Sequence, residues 1–334
     1  MTTLGVKIWN KQVGVLTWNS ETCVPQFRFD ADWGTHHLDI SPVMCPLRQA
    51  VCHPLLAQKT SSYYCHLPYF LSDFMPCFKG RPKGVNPVLL LSKAGVDGLG
   101  AFDFQLLEGD DTSLSEIPVQ RMRGRSRKEF VEVDGIHYIK KYGRGVRMEM
   151  AYNIMARLAK VHVPEMRLTD DSALLIQRFD REGSQRLHTQ TLAAMNHSAR
   201  GYKGLMDTCR TLNLGKDAEE QVLRLMCFNH LTGNVDDNTK NVSFVMHPDS
   251  TWHLAPAYDL TFCYDPRNPH GPNSHRLKQD IPLADIPRQL FDSVCLATLQ
   301  FPRICQDLNI PLSEYNDAWL HIQKQLRCNN QGTK

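Results

Sequence analysis

A polar segment at residues 233–241, GNVDDNTKN, lies between a predicted helix and a predicted pair of strands. The helix, residues 218–233, has an apolar face and ends near a glycine. The strands, VSFVM at 242–246 and TWHLAPAY at 251–258, have the short β-type pattern of a hairpin. Because a hairpin returns the chain to its starting point, the sequence predicts a mixed α and β fold that gathers polar side chains beside this segment.

Within the segment, Asp236 is followed five residues later by Asn241, with Lys240 between them. The Asp-x-x-x-x-Asn spacing is the one that a protein-kinase catalytic loop uses. Phosphoryl transfer requires a carboxylate that accepts the proton of the attacking hydroxyl, and a neutral oxygen ligand that holds Mg²⁺. Asp236 is therefore the candidate base and Asn241 the candidate metal ligand. Lys240 is the candidate cation beside the phosphoryl group in transfer.

Three further parts of a kinase site occur in kinase order. Asp259 ends the predicted hairpin, 18 residues after the loop asparagine, and is a candidate second Mg²⁺ ligand. Upstream, YIKKY supplies Lys140 and Lys141 for nucleotide phosphates, and only one of two adjacent strand residues can face them. Glu149, in a predicted helix over 147–161, is the candidate partner of that lysine. Each part alone is also explained structurally, as a polar turn, a solvated lysine pair or an acid favoured by the helix dipole.

Charge and composition exclude several classes of protein. The 334 residues carry a formal net charge of +3, too small to make nucleic acid the expected partner. The longest uninterrupted aliphatic run is far shorter than the roughly 20 residues of a membrane span, and the N-terminus lacks a signal pattern. We expect a soluble cytoplasmic protein that binds no membrane and no nucleic acid directly. The 11 cysteines include no closely spaced pair, which favours reduced thiols over a zinc site.

The pattern along the chain predicts two domains and a linker. Residues 1–107 contain short strands and turns, and an acidic, aperiodic stretch follows, so we place the linker at 108–120. The second domain is residues 121–334, with a smaller lobe over about 121–190 and a helical lobe over about 191–334. An Asp-Gly pair between two β-type runs predicts a hairpin in the smaller lobe.

The second domain begins with a basic run, RMRGRSRK at 121–128. Three interpretations stay open: a solvated loop, a loop that binds a triphosphate, and a contact to a nucleic-acid backbone. The last is the weakest of the three because no aromatic residues alternate with the arginines.

Several runs together carry a resemblance to a known family. They are FRFDADW (27–33), ISPVMCPL (40–47), GLGAFDF (98–104), VPEMRL (163–168), IQRFDREGSQRLHTQ (176–190), FNHLTGNVDDNTKNVSF (228–244) and LAPAYDLT (254–261). In these runs the chain resembles the HipA family of bacterial serine/threonine kinase toxins. The resemblance implies an α+β fold, with a protein-kinase-like bilobal body, a small β-rich N-terminal subdomain and a mostly helical C-lobe.

The resemblance also implies cofactors and partners. It implies ATP and Mg²⁺, a protein substrate such as an aminoacyl-tRNA synthetase or a related translation factor, and a DNA-binding antitoxin. Alternatives are a pseudokinase that acts by association with nucleotide or antitoxin, and a small-molecule kinase.

The resemblance assigns the same three residues, Asp236, Asn241 and Asp259, to the base and the Mg²⁺ ligands. It favours Lys141 over Lys140 as the strand lysine.

It further implies Glu149 as the helix acid. The adenine contact falls on residues 177–179, through Gln177 and Phe179, with Tyr258 near the base. A phosphate-side loop of the SxxGxxxK type corresponds to Gly124 and Lys128.

The chain departs from the family pattern in three places. Asn238 stands where a histidine is usual, and Arg121 stands where several members autophosphorylate a serine. The region after residue 262 is shorter than in the long members. The first two departures are the motive for the pseudokinase alternative.

Overall fold

The computed structural model describes residues 1–47, 51–52, 67–78, 85–94, 98–110, 119–120, 126–265, 267 and 274–331. The chain divides into two compact units, each built from three segments of sequence. The first unit comprises Met1–Arg125, Asp180–His197 and Phe244–His253; the second comprises Ser126–Phe179, Ser198–Ser243 and Leu254–Lys334.

The described residues form short strands and mostly short helices. The strands are β1 (Thr2–Ile8), β2 (Lys11–Asn19), β3 (Val24–Phe29), β4 (Val51–Cys52), β5 (Cys77–Phe78), β6 (Phe102–Glu108), β7 (Val119–Gln120), β8 (Lys128–Val133), β9 (Ile136–Lys141), β10 (Met166–Leu168), β11 (Leu174–Gln177), β12 (Arg181–Glu182), β13 (Gln185–Arg186), β14 (His188–Thr191), β15 (Ser243–Met246) and β16 (Trp252–Leu254). The helices are α1 (Tyr69–Ser72), α2 (Pro87–Leu91), α3 (Val146–Leu158), α4 (Leu192–Met195), α5 (Tyr202–Thr211), α6 (Gly215–Thr232), α7 (Arg288–Thr298), α8 (Phe301–Asp307) and α9 (Leu312–Gln331).

A five-stranded antiparallel sheet, in the order β4-β3-β2-β1-β6, organises the first unit. Alternate residues of β1 point to one face and are fully buried, and Val13 and Leu16 of β2 and the continuous apolar run of α2 join the same core. Met246 of β15 belongs to this core, and Trp252 packs against it. A distant segment of the chain therefore completes the first unit.

In the first unit, residues 98–104 contact residues 180–186, and both segments belong to runs that carry the family resemblance. The Asp180 carboxylate accepts a hydrogen bond from the backbone N–H of Gly100 at 2.8 Å, and Arg181 donates to the carbonyl of Gly98 at 2.7 Å. Gly100 has a φ of +68°, and a Cβ there would lie 2.8 Å from the Phe74 ring. The turn that contains Gly98 and Gly100 is therefore a packing turn, bound by side chains from residues 176–190.

The second unit contains a four-stranded antiparallel sheet, in the order β10-β11-β9-β8, followed by helices. Val146 of α3 packs with Leu174 and Ile176 of β11. In the helical part, the Tyr152 ring contacts Phe228 and Phe301 edge-on, with centroids 6.1 and 5.6 Å away. This core holds α3 and α6 together and so supports the loop that follows α6.

Several predicted elements are confirmed. The Asp134-Gly135 pair joins β8 to β9, and both residues have the positive φ of a two-residue hairpin turn, +53° and +75°. The predicted helices at 147–161 and 218–233 are α3 and α6. The predicted α+β class is also correct, with small β-rich sheets in the N-terminal part.

The predicted domain boundaries stay predictions. They divide the chain into contiguous pieces, whereas residues 180–197 and 244–253 pack with the first unit. Most of the predicted linker, residues 111–118, lies outside the described residues.

One expectation is wrong at a single position: Cys45 is disulfide-bonded rather than a reduced thiol. Across the described ranges, no helix is long and apolar enough to cross a membrane.

Candidate functional site

The second unit contains a buried ion pair on its sheet. The Lys141 Nζ lies 2.5 Å from the Glu149 carboxylate and 3.2 Å from the Asp259 carboxylate. The side chains of Lys141 and Glu149 are only 13% and 6% exposed. The structure therefore brings together three candidate residues that are widely separated in sequence.

Strand geometry explains which lysine takes part. Lys141 ends β9, and its antiparallel partner in β8 is Lys128. Lys140 points to the opposite side, where its ammonium lies 2.8 Å from Asp171. Of the two adjacent lysines, Lys141 is therefore the one that contacts Glu149, at the start of α3.

Charge and burial act against each other in this cluster. Burial raises the pKa of Glu149, and the nearby lysines only partly offset that effect. Burial also acts to raise the pKa of Asp259, but Lys141 and Lys128 outweigh it and the pKa is lowered. Burial acts to lower the pKa of Lys141, yet the two carboxylates leave it raised. Lys141 therefore keeps its charge at neutral pH.

Asp259 adopts a strained backbone conformation. Its φ is +53°, in the left-handed region that residues other than glycine seldom occupy. Such a conformation costs about 1–3 kcal/mol and clusters at functional sites. The carboxylate that reaches Lys141 is thus held by the surrounding structure at an energetic cost.

The loop after α6 is organised around Asp236. The Asn241 amide donates to the Asp236 carbonyl at 2.9 Å, which leaves the amide oxygen as the atom that could bind a cation. Asn238 donates to the Asp236 carboxylate at 3.2 Å and accepts from the Lys240 backbone N–H at 2.8 Å. Asn238, which replaces the family's usual histidine, therefore fixes the loop by hydrogen bonds. The Lys240 side chain is exposed.

Tyr258, the residue before Asp259, contacts the loop. Its hydroxyl donates to the Lys240 carbonyl at 2.9 Å and, because that uses its only proton, accepts from the Ser243 hydroxyl at 2.7 Å. Its ring stacks on Phe179, with centroids 5.7 Å apart. The contact between Lys240 and Tyr258 therefore joins the residue before Asn241 to the residue before Asp259.

The remaining candidate residues for nucleotide binding are Gln177, Lys128 and Gly124. Gln177 ends β11, with its backbone N–H bonded to the Glu165 carbonyl at 2.9 Å. Lys128 lies on β8, and its charge acts on Glu149 and Asp259. Gly124 lies outside the described residues.

The oxygen donors fit Mg²⁺ bound with few protein ligands. Among the described residues, no group of three or more His, Cys, Asp or Glu side chains could hold a metal by itself. Magnesium in phosphoryl-transfer sites keeps several waters and takes one or two protein ligands together with substrate phosphates. Asn241 and Asp259 supply that kind of donor set, an amide oxygen and a carboxylate.

Two residues that hold the loop in place, Asp237 and Cys263, were not predicted from the sequence. The buried Asp237 carboxylate accepts hydrogen bonds from residues of two other segments. The Cys263 sulfur accepts the backbone N–H groups of Val235 and Asp236, both at 3.2 Å. The Asp-Asp pair is visible in the sequence, but nothing in it shows which carboxylate is buried or that a cysteine 27 residues away reaches the loop.

Gly233 ends α6 and begins the loop, and its replacement tests the close packing there. Its φ is +71°, and a Cβ would lie 2.9 Å from the Phe262 ring. Gly215 has a similar φ of +80° with open space around it. We expect Gly215→Ala to cost about 1–2 kcal/mol for the left-handed backbone alone.

Gly233→Ala should cost about 1–3 kcal/mol more because the methyl group also overpacks the site. Urea unfolding of both variants measures the difference. Equal losses of stability would contradict the packing argument.

The fold and these residues define a class of protein. The chain has a protein-kinase-like α+β fold. A family model described as the HipA-like C-terminal domain matches residues 120–319, and the chain belongs to the HipA family.

Comparison with solved structures gives two likenesses. HipA of Shewanella oneidensis MR-1, solved with HipB and its operator DNA, is 18% identical; the match covers 97% of this chain and 95% of that one, with a TM-score of 0.60. The proinflammatory kinase CtkA of Helicobacter pylori is 12% identical; the match covers 59% of this chain and 89% of that one, with a TM-score of 0.43. Comparison with curated protein sequences gives no significant match.

Proposed function

We propose that this protein is an ATP-dependent serine/threonine protein kinase of the HipA toxin type. The observation that carries the proposal is the bonding of Lys141 to both Glu149 and Asp259, in the unit that also holds the Asp236–Asn241 loop. A lysine held by a helical glutamate next to a metal-binding aspartate is the phosphate-binding arrangement of protein kinases.

The residues of the loop perform the transfer. Asp236 orients the acceptor hydroxyl and takes its proton as the oxygen attacks the γ-phosphorus and ADP leaves. Its side chain is 56% exposed, as access to a macromolecular substrate requires. Lys240, exposed beside it, stabilises the charge on the phosphoryl group in transfer.

The other candidate residues hold the nucleotide. Lys141 binds the phosphates of ATP, with Lys128 on the phosphate side. Residues 177–179, through Gln177 and Phe179, form the adenine contact. Asn241 and Asp259 would hold Mg²⁺, which would neutralise phosphate charge.

We further propose a protein substrate and an antitoxin partner. The Shewanella HipA structure contains HipB and operator DNA, which supports a DNA-binding antitoxin as the partner of this chain. The family supports a component of translation, such as an aminoacyl-tRNA synthetase, as the phosphorylated protein.

A pseudokinase is the second candidate function, and Asn238 is the observation that favours it. A residue other than the usual histidine beside the base is compatible with nucleotide binding without transfer. The hydrogen bond from Asn238 to the Asp236 carboxylate supports the active enzyme instead.

The experiment is transfer of label from radioactive MgATP to proteins of a bacterial lysate, with Asp236→Asn as the matched control. The kinase predicts label on a discrete protein, recovered as phosphoserine or phosphothreonine, with the wild type only. Absence of transfer, combined with a rise in Tm on adding MgATP, would replace the kinase with the pseudokinase.

A further inference from the structure

The second aspartate of the loop is buried and surrounded by donors. The Asp237 side chain is 1% exposed, whereas its neighbour Asp236 is 56% exposed. Its carboxylate accepts the Tyr202 hydroxyl at 2.9 Å, the His275 Nδ1 at 2.8 Å and the Arg276 backbone N–H at 2.8 Å. These hydrogen bonds stabilise the buried carboxylate in one position, and the carboxylate in turn fixes the loop backbone that carries it.

These bonds join the loop to residues 275–279. The Leu277 backbone N–H and the Gln279 amide also donate to the Asp237 carboxylate, at 3.3 and 3.4 Å. Backbone bonds reinforce the junction: Arg276 donates to the Val235 carbonyl at 3.1 Å, and Leu277 donates to the Asp237 carbonyl at 3.0 Å. The loop is therefore paired to this segment on both sides of Asp236.

A second set of bonds holds the beginning of the loop. Asn234 donates to Asn229 at 2.9 Å, and Asn229 donates to the same Tyr202 hydroxyl at 2.9 Å. Tyr202, on α5, is thus a common anchor for Asn234 and Asp237. All four side chains of this chain of bonds are buried.

The junction also determines the surroundings of Asp236. Because Arg276 is bonded through its backbone to the loop, its guanidinium is brought within 3.8 Å of the Asp236 carboxylate. The Asp236 carboxylate faces outward while the Asp237 carboxylate faces inward.

We propose that Asp237 is a positioning residue for phosphoryl transfer: its carboxylate clamps the loop to residues 275–279 and so fixes the direction of the Asp236 carboxylate. This inference rests on the proposed function. It separates the roles of the two adjacent aspartates, with Asp236 acting on the substrate and Asp237 acting through Asp236.

The test compares Asp237→Ala, Asp237→Asn and Tyr202→Phe with the wild type. Asp237→Ala should lower kcat by about 10- to 100-fold, the loss that a base displaced by about 1 Å produces. The KM for ATP should rise by much less than kcat falls, because Lys141 and Glu149 lie on other elements, although Asn241 lies on the loop. Asp237→Asn keeps an acceptor oxygen and should be intermediate, and Tyr202→Phe, which removes one donor, should have the smallest effect.

Hydrogen exchange gives a readout that does not depend on activity. In Asp237→Ala, amides of residues 234–241 and 275–279 should exchange faster, while those of α3 keep the wild-type rate. Asp285→Asn, which removes an exposed carboxylate, is the charge control and should match the wild type in both measurements. If Asp237→Ala does not fold, Asp237→Asn carries both measurements.

The outcomes separate this inference from the proposed function. Unchanged kcat and unchanged exchange in a folded Asp237 variant would overturn the positioning role, as would a rise in KM for ATP without a fall in kcat. A wild type that transfers no phosphoryl group overturns the proposed function; faster exchange in the variant would then still establish the clamp.

Discussion

Replacing Asp236 with asparagine is expected to lower the rate of phosphoryl transfer by about 10²- to 10⁴-fold, the range that a general base contributes. The amide cannot accept the proton of the acceptor hydroxyl. Its similar size preserves the loop, and the Asn241 bond ends on the backbone carbonyl of residue 236, which the substitution leaves in place. MgATP should therefore still raise the Tm of the variant. Single-turnover transfer to the labelled lysate protein measures the rate.

Asp170→Asn is the matched control for that substitution. It removes one exposed carboxylate in the second unit and should leave the transfer rate unchanged. If Asp236→Asn transferred phosphate as fast as this control, Asp236 would not be the base.

Replacing Lys141 with methionine is expected to destabilise the protein by about 3–5 kcal/mol, the usual cost of breaking a buried ion pair. The substitution leaves Glu149 buried without its cation. Urea unfolding at pH 7 measures the loss, which should be accompanied by loss of stabilisation by MgATP. The double variant Lys141→Met, Glu149→Gln should regain part of the stability because a neutral amide costs less to bury than a carboxylate.

The destabilisation of Lys141→Met should depend on pH with a definite sign. Burial raises the pKa of Glu149, and removing Lys141 removes the largest effect that lowers it. Above the unfolded value of about 4.5, the native state then binds more protons than the unfolded state, so stability falls as pH rises.

Asp259 adds a loss of stability that hardly changes between pH 5 and pH 8. Burial acts to raise its pKa, but Lys141 and Lys128 outweigh burial and the pKa is lowered, so in the wild type Asp259 stabilises the fold above about pH 3.8, and the variant loses part of that stabilisation. Because of Glu149, the difference in stability between wild type and variant should be larger at pH 8 than at pH 5. A difference that is independent of pH, and that the Glu149→Gln replacement does not reduce, would contradict the buried-pair account.

The local elements around the site could be predicted from sequence because each depends on a short-range pattern. The Asp134-Gly135 turn sets the β8–β9 hairpin, and that hairpin places Lys141 at a strand end. Apolar periodicity predicts α6, and Gly233, with its positive φ, ends it. The relation between Lys141 and Glu149 follows from the strand and helix being consecutive.

The supporting contacts could not be predicted because they join residues far apart in the chain. The bond from His275 to Asp237 spans 38 residues, and no periodicity fixes which of two adjacent aspartates turns inward. The discontinuous first unit has the same origin: residues 244–253 look like part of a C-terminal lobe, but Met246 is buried in the N-terminal core. Long-range packing, rather than local propensity, decides both.

The central claim is that Lys141, Asn241 and Asp259 form one site for a metal–nucleotide complex, with Asp236 facing its reactive end. The most direct test is the anomalous signal of Mn²⁺ in crystals grown with a non-hydrolysable ATP analogue. The account predicts a metal peak bound by the Asn241 and Asp259 side chains, with the phosphates against Lys141, and a weakened peak in Asp259→Asn. Metal and phosphates bound away from these residues, or a peak unchanged in Asp259→Asn, would contradict it.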